Sequence, residues 1–289
     1  MTSRDTLPYI SSRRIGDATV TIISEGELPY APNFSAPEAD WREAMPGADE
    51  RGRFRFGLNV ALIQTDEATI LIDPGLDDPG SAWQQQFAAE FDGMSRTAGL
   101  QAALTHLEVS PDAITHVLIT HAHNDHYAGV AFELDGELLP RFPRARHFIG
   151  RADWEGHLDL PDPEPELEQR LGLIDRLGLL ETIDGDCEIT LGVSMLAAPG
   201  ESPGHMVVRL ESAGEVWYDL GDLFHHSCEV DHPDWVSPGG DPVANRDSRD
   251  RLFAAITRDD AIVVSGHEPF PAWGRIESQG TGYRWMKLN

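Results

Sequence analysis

Thr120-His121-Ala122-His123-Asn124-Asp125-His126 gathers three histidines and an aspartate directly after the apolar run His116-Val117-Leu118-Ile119. That β-branched run, bounded by polar residues, reads as a short buried strand. Side chains two apart on a strand project the same way, so His121 and His123 leave its end pointing together. Asp125 and His126 fall where the next segment, Tyr127-Ala128-Gly129-Val130-Ala131-Phe132, is expected to begin a helix. Such a strand-to-helix loop aims two imidazoles at one point and a carboxylate plus an imidazole at a second. Imidazole nitrogen suits zinc and similar metals, and the carboxylate adds charge that retains a dication. A lone histidine rarely signals a ligand. Three with an aspartate at this spacing point to a metal site.

The surrounding chain bounds what that site can serve. Its 289 residues suffice for a sizeable core, and 40% hydrophobic with 25% charged residues describes an ordinary soluble protein. Basic residues number 22 against 49 acidic ones, a net charge of −27. Such a surface repels phosphate backbones, and the densest basic stretches, Arg51 to Arg53 and Arg141 to Arg146, are short. No nucleic-acid partner is expected. Cys187 and Cys228 lack a CxxC spacing and are expected to be free thiols. The first ten residues have no apolar signal core, and no run of about 18 apolar residues exists to span a membrane. A cytoplasmic location without membrane association follows as an expectation.

Two segments repeat one pattern. Asn59 to Asp73 and Met206 to Asp219 each read as strand, acidic turn, strand, then aspartate. They predict two similar β-rich halves packed sheet against sheet, each followed by helical material. Asp17 to Ser24 alternates as a further strand, and the Pro- and acid-rich segment that follows, about 25–57, is expected to be irregular. Phe34 and Trp41 within it suggest a loop lying over a pocket. Helical patterning covers Pro79 to Val109 and Leu167 to Leu180, and Ser110-Pro111-Asp112 caps a short helix. Arg146 to Gly150 reads as a strand, Leu158 to Pro165 as a surface loop, and Asp241-Pro242 opens a helix through Ile256. Ala261 to Ser265 is a last buried strand. No linker or composition break divides the chain, so residues 1–289 are expected to form one domain.

Further donors share one placement, directly after an apolar strand or a glycine turn. His205 follows Pro203-Gly204, Asp222 follows Gly221, and His267 follows Gly266. Glycine before a ligand lets the backbone approach an ion closely. Each is a weak signal alone. Together they supply the donors that two ions need.

In this order, His121-Ala-His123-Asn-Asp125-His126, Pro203-Gly204-His205, Gly221-Asp222 and Gly266-His267 resemble the metallo-β-lactamase superfamily over nearly the whole chain, from about Asp17 to Ile276. The resemblance implies an α+β fold, an αββα four-layer sandwich, in agreement with the two hairpins. It implies that His121, His123 and His205 hold one metal, that Asp125, His126 and His267 hold the other, and that Asp222 bridges them. Asp73 matches an early aspartate that orients the ligand loop. Glu201 stands where many relatives carry a histidine that is not a ligand. Gly221 to His226 and Gly266 to Pro271 are similar to the branch containing quorum-quenching lactonases and methyl-parathion-type organophosphate hydrolases. The lactonases' substrate-binding tyrosine is replaced here by His225, a candidate oxyanion donor. His226 and His232 are not expected to be ligands.

The function expected is that of a dinuclear metal-dependent hydrolase in which a bridging hydroxide attacks a lactone or other carboxylic ester. Asp125 would pass a proton to the leaving group, and no GxSxG elbow is present to suggest a serine nucleophile. The cofactors expected are two divalent ions, with zinc favoured and manganese, iron or cobalt compatible. Trp41, Phe54, Phe56, Trp154, Phe224, Trp235, Phe270 and Trp273 could line an apolar pocket, with about half of them in the core. They favour a small neutral or apolar substrate. Alternatives are an organophosphate triester hydrolase, an iron-dependent oxidoreductase on the same scaffold, and a non-catalytic metal binder. A homodimer is compatible with the resemblance.

Overall fold

Alternate residues of the strand Thr69–Ile72 face opposite ways. Ile70 and Ile72 pack between two sheets, and Leu71 packs beneath helices. The strand His116–Ile119 repeats the division, with Leu118 between the sheets and Val117 and Ile119 toward the helices. A strand with both faces apolar must be covered on both, and that requirement generates the four layers. The computed structural model describes residues 7–34, 36–158 and 164–288.

The first sheet runs in the order Ile10–Ile15, Ala18–Tyr30, Phe54–Gln64, Thr69–Ile72, His116–Ile119, Arg146–Gly150 and Leu180–Ile183. Its first four strands are antiparallel and its last three join in parallel through helical crossovers. The second sheet runs Cys187–Thr190, Val193–Ala197, Met206–Ser212, Glu215–Asp219, Ile262–Val264, Trp273–Gln279 and Gly282–Lys287. Val20, Ile22 and Phe148 of the first sheet meet Met195, Val208, Trp217 and Trp273 of the second. The helices Gly99–His106 and Pro165–Arg176 cover the first sheet's outer face. The helix Pro242–Arg258 covers the second with Leu252, Phe253 and Ile256. Each of the two hairpins read from sequence lies in its own sheet, and the αββα sandwich stands.

Several boundaries differ from expectation. The first long strand does not stop at Ser24 but continues to Tyr30 through an irregularity between Ser24 and Gly26. Gly26 has φ 143°, and a side chain there would collide with the carbonyl of Ser95. The bulge shifts the pairing register and turns Glu25 inward, so polar residues sit in a strand whose alternation they appeared to break. The 25–57 segment is therefore structured at both ends, and it holds the helix Glu38–Ala44 between them. After the metal motif the helix is brief, Asn124–Tyr127. Ala131–Leu134 instead pairs with Glu137–Pro140 about an Asp135-Gly136 turn, both residues at positive φ. Pro79 to Val109 contains two helices, Ala82–Glu90 and Gly99–His106, separated by Ser95–Arg96 pairing with Gly26 and Glu27. The helix Pro165–Arg176 ends before Gly178, at φ 70°, and Leu180 opens a strand. Leu158 closes the helix Arg151–Leu158, and 159–163 of the expected surface loop lie outside the described residues.

Candidate metal centre

The motif loop is held from below. Asp73, at the end of its strand, accepts hydrogen bonds from the Thr120 N–H and hydroxyl, both at 2.7 Å, and lies 2.8 Å from His126 Nδ1. His267 Nδ1 lies 2.8 Å from the Gly57 carbonyl, and His205 Nδ1 lies 3.1 Å from that of Ala198. A carbonyl or carboxylate beside Nδ1 places the ring proton there and leaves Nε2 as the electron-pair donor. His126, His205 and His267 are all oriented this way.

The inward nitrogens crowd together. His121 Nε2 is 2.8 Å from His123 Nδ1, and His126 Nε2 is 3.3 Å from His267 Nε2. Asp222 lies between the pairs. Its carboxylate oxygens stand 3.7 Å from His121 Nε2, 3.3 Å from His126 Nε2 and 2.9 Å from His267 Nε2. Asp125 Oδ2 is 3.8 Å from His126 Nε2 and 3.7 Å from His267 Nε2. Among the described residues three donor sets result, His121-His123-Asp222, Asp125-His126-His267 and Glu201-Asp222-His225. His205 stands one step back. Its ring adjoins that of His121 at 5.2 Å, but its Nε2 accepts the backbone N–H of Asp222 at 3.0 Å. Six of the seven expected ligands thus converge, and the seventh touches the backbone of a sixth.

This arrangement fits bound cations. Asp222 Oδ1 is buried and, although close to His267, is out of alignment for a hydrogen bond. Burial opposes a charge on His126, yet Asp222, Asp125 and Asp73 around it hold its proton well above the usual imidazole range. Burial likewise opposes a charge on Asp222, which the His267, His126 and His121 rings keep ionised well below the usual carboxylate range. Converging lone pairs and excess carboxylate call for positive charge at their centre.

Three side chains that the sequence reading did not single out complete the frame. Asp153 accepts hydrogen bonds from the Ala122 N–H at 3.0 Å, the Ser202 hydroxyl at 2.7 Å and the Gly204 N–H at 2.6 Å. It ties the motif loop to the turn before His205. Glu229 accepts the N–H groups of both His225 and His226 at 2.9 Å and is itself paired with Arg249 at 2.5 Å. These residues carry no local spacing signal. Only the fold places them.

A cavity of about 300 Å³ opens over the donors. His123, Asp125, Glu201, Asp222 and His225 form its floor and polar side, while Leu28, Tyr30, Phe56, Phe87 and Phe91 form the other wall. Phe56 stacks on His267 with ring centroids 3.5 Å apart. Larger grooves of about 580 and 670 Å³ lie elsewhere, lined by none of the convergent donors. Of the eight aromatics named from sequence, Phe56 alone is on the cavity wall. Trp154, Phe224 and Trp273 are core, Phe270 packs against the core between the sheets, and Phe54, Trp41 and Trp235 pack in a cluster beside the cavity. Leu28 and Tyr30 come from the extended strand, so the 25–57 segment does line the pocket, but through its strand rather than a loop. His225 Nε2 lies 3.2 Å from Asp222 Oδ2 and its Nδ1 3.1 Å from the Ser237 hydroxyl. His226 packs on Phe54 and His232 stacks on Trp235, both away from the donors. Cys187 and Cys228 are free. Among the described residues no helix is long and apolar enough to cross a membrane.

The model of one family, the metallo-beta-lactamase superfamily, matches residues 53–267, which carry every one of these donors. The chain belongs to that superfamily. Within it, an N-acyl homoserine lactonase of Bacillus thuringiensis subsp. kurstaki is 24% identical over 215 residues, 72% of this chain and 79% of the relative. A probable metallo-hydrolase of Mycobacterium tuberculosis is 26% identical over 277 residues, 84% of each chain. Among solved structures, a dizinc quorum-quenching lactonase in complex with a product, N-hexanoyl-L-homoserine, superposes with a TM-score of 0.78 at 23% identity, over 97% of both chains. This superfamily member is a metallohydrolase related to lactonases.

Proposed function

We propose that this metallohydrolase is dinuclear and acts on a lactone or other neutral carboxylic ester. The observation that carries the reading is the opposition of two walls in one small cavity, convergent imidazoles and carboxylates on one side and apolar side chains on the other. A small ester needs both, because its carbonyl must meet polarising groups while its hydrocarbon part leaves water. The lactonase relatives favour the same substrate class.

His121, His123 and Asp222 would hold one ion, with His205 beside them. Asp125, His126 and His267 would hold the other, with Asp222 shared. When bound, two divalent ions, zinc being best suited to this donor set, supply Lewis acidity and bring the pKa of water toward neutrality. His225 is held protonated well above the usual imidazole range, since hydrogen bonds to Asp222 and Glu201 outweigh its burial. It can donate to a carbonyl oxygen as negative charge develops there. Asp125, at the cavity floor, would take a proton from the attacking water and pass it to the departing alkoxide. Tyr30, Phe56 and Phe87 exclude bulk water from the substrate's apolar part.

Metal analysis of the purified protein, paired with rates on lactone, aryl ester and phosphotriester panels, tests the reading. Two equivalents of divalent metal and a preference for lactones are expected. A preference for phosphotriesters, or iron accompanied by oxygen uptake, would replace it.

A further inference from the structure

Glu201, Asp222 and His225 make the third donor set, which has Asp222 in common with the first and two residues that neither ion above would use. His225 Nε2 stands 3.2 Å from Asp222 Oδ2 and 3.5 Å from Glu201 Oε1. Asp222 and His225 are buried, Glu201 is 13% exposed, and all three line the cavity over the metal centre. Both added donors are held from behind. The Ser237 hydroxyl lies 3.1 Å from His225 Nδ1 and Glu229 accepts the His225 N–H, so Nε2 is kept toward the carboxylates. Glu201 follows Gly200, whose φ of 150° and close approach to Asn245 leave no room for a side chain. Asp153 pins that turn through Ser202 and Gly204, and the Asp241 N–H donates to the Gly200 carbonyl at 2.7 Å. Between them, Asp222 Oδ1 is buried without a hydrogen-bond partner.

We infer that Glu201, Asp222 and His225 bind a third divalent cation, more weakly than the two of the proposed dinuclear centre, and that its binding inhibits the enzyme. Two carboxylates and an imidazole are a donor set that zinc accepts, with water completing the coordination. Repulsion from two neighbouring dications makes this the last set to fill. A cation here needs the Nε2 lone pair of His225, so the proton that this nitrogen would give to a carbonyl oxygen is released to solvent instead. The set also occupies the polar side of a cavity of only about 300 Å³, where the substrate carbonyl has to enter. Loss of the donor and obstruction of the cavity act in the same direction. Metal in excess of two equivalents therefore lowers turnover.

The inference rests on the dinuclear reading, and metal stoichiometry separates the two. Wild type, E201Q and H225F are loaded with zinc, dialysed free of excess, and then titrated with zinc. Bound metal is measured by equilibrium dialysis and elemental analysis, and initial rates are followed on the best substrate of the ester panel. Two equivalents should survive dialysis in all three proteins. Under excess zinc the wild type should take up a third equivalent and lose about 100-fold or more in rate, the size expected for losing one donor to a developing oxyanion. Dialysis back to two equivalents should restore the rate. E201Q and H225F should bind the third equivalent at least about 10-fold more weakly, and zinc should inhibit each correspondingly less relative to its own two-metal rate. A wild type that stops at two equivalents would mean that the His225 proton alone neutralises these carboxylates. That result, wild-type affinity for the third equivalent in either variant, or a third equivalent bound without loss of rate overturns the inference while the dinuclear reading stands. Fewer than two equivalents surviving dialysis in the wild type would mean that the dinuclear reading itself has failed. E201Q keeps the test decisive should H225F fold poorly.

Discussion

Asp73 and Thr120 are 47 positions apart, yet both oxygens of the Asp73 carboxylate are taken up by Thr120, each at 2.7 Å. One of those oxygens also meets His126 Nδ1 at 2.8 Å. Asp73 sits at φ 48°, a left-handed conformation uncommon for a side chain with a Cβ, so the backbone is bent to deliver it there. The pair joins the ends of two adjacent parallel strands and sets where the motif loop begins.

Changing Asp73 to Ala leaves the Thr120 amide and the His126 ring proton without acceptors in a buried place. Outer partners of metal-binding histidines typically matter by about 10- to 100-fold in affinity. A loss of that size is expected in chelator competition, with His126 still present. Wild-type metal affinity in the variant would show that Asp73 serves folding alone.

Asp222 belongs to the donor set of His121 and His123, and its carboxylate also stands 3.3 Å from His126 Nε2 and 2.9 Å from His267 Nε2. Asp222→Ala should lower the bound metal from two equivalents to one or fewer and cut turnover by at least about 100-fold. Elemental analysis and steady-state rates report the two effects independently. Two tightly held ions in the variant would remove Asp222 from the bridging position.

Phe87 presents its ring to the cavity from the helix Ala82–Glu90, between Trp83 at 5.1 Å and Phe91 at 5.0 Å. Fully burying a side chain of this size contributes about 1.5–3 kcal/mol, roughly 10- to 100-fold in binding. Phe87→Ala should therefore raise KM for long-chain acyl substrates by about 10-fold and leave short-chain ones nearly unchanged. A uniform effect across chain lengths would place the acyl group elsewhere.

His147 is fully buried on the strand Arg146–Gly150, and burial pushes its pKa down to about 4. An unfolded histidine titrates near 6.5, so between about pH 6.5 and 4 the unfolded chain binds a proton that the native form refuses. Its contribution to stability is intact above the unfolded value and is lost as pH falls toward the folded one. The loss totals on the order of 3 kcal/mol. Chemical denaturation at pH 7 and pH 4.5 should show a smaller stability drop for His147→Leu than for the wild type at equal metal content. Parallel drops would show that His147 protonates normally in the fold.

Much of the architecture was legible because it is written in short-range periodicity. Ile70, Leu71 and Ile72 alternate between two cores, and strand-turn-strand patterns ending in aspartate recur in both halves. The reading failed where a tertiary partner overrode local preference. Glu25-Gly26-Glu27 has the composition of a chain break, but pairing with the strand that begins at Phe54 and the inward carboxylate of Glu25 keep it extended. Glu25 accepts the N–H groups of Leu76 and Leu100, contacts that no local pattern announces.

The site divides along the same line. By itself the sequence determined the core of the candidate donor set, because His121, His123, Asp125 and His126 lie within six positions and a strand end allows such neighbours only a few directions. It also marked His205, Asp222 and His267 through the glycine before each. Only the tertiary structure decided that Asp153 ties two loops together, that Glu229 and Arg249 steady His225, and that Leu28, Tyr30, Phe87 and Phe91 face the donors across one cavity. Apart from the step of four between His225 and Glu229, those contacts join residues tens to hundreds of positions apart. Chain closure brings them together, and closure depends on how whole sheets pack rather than on any neighbour in sequence.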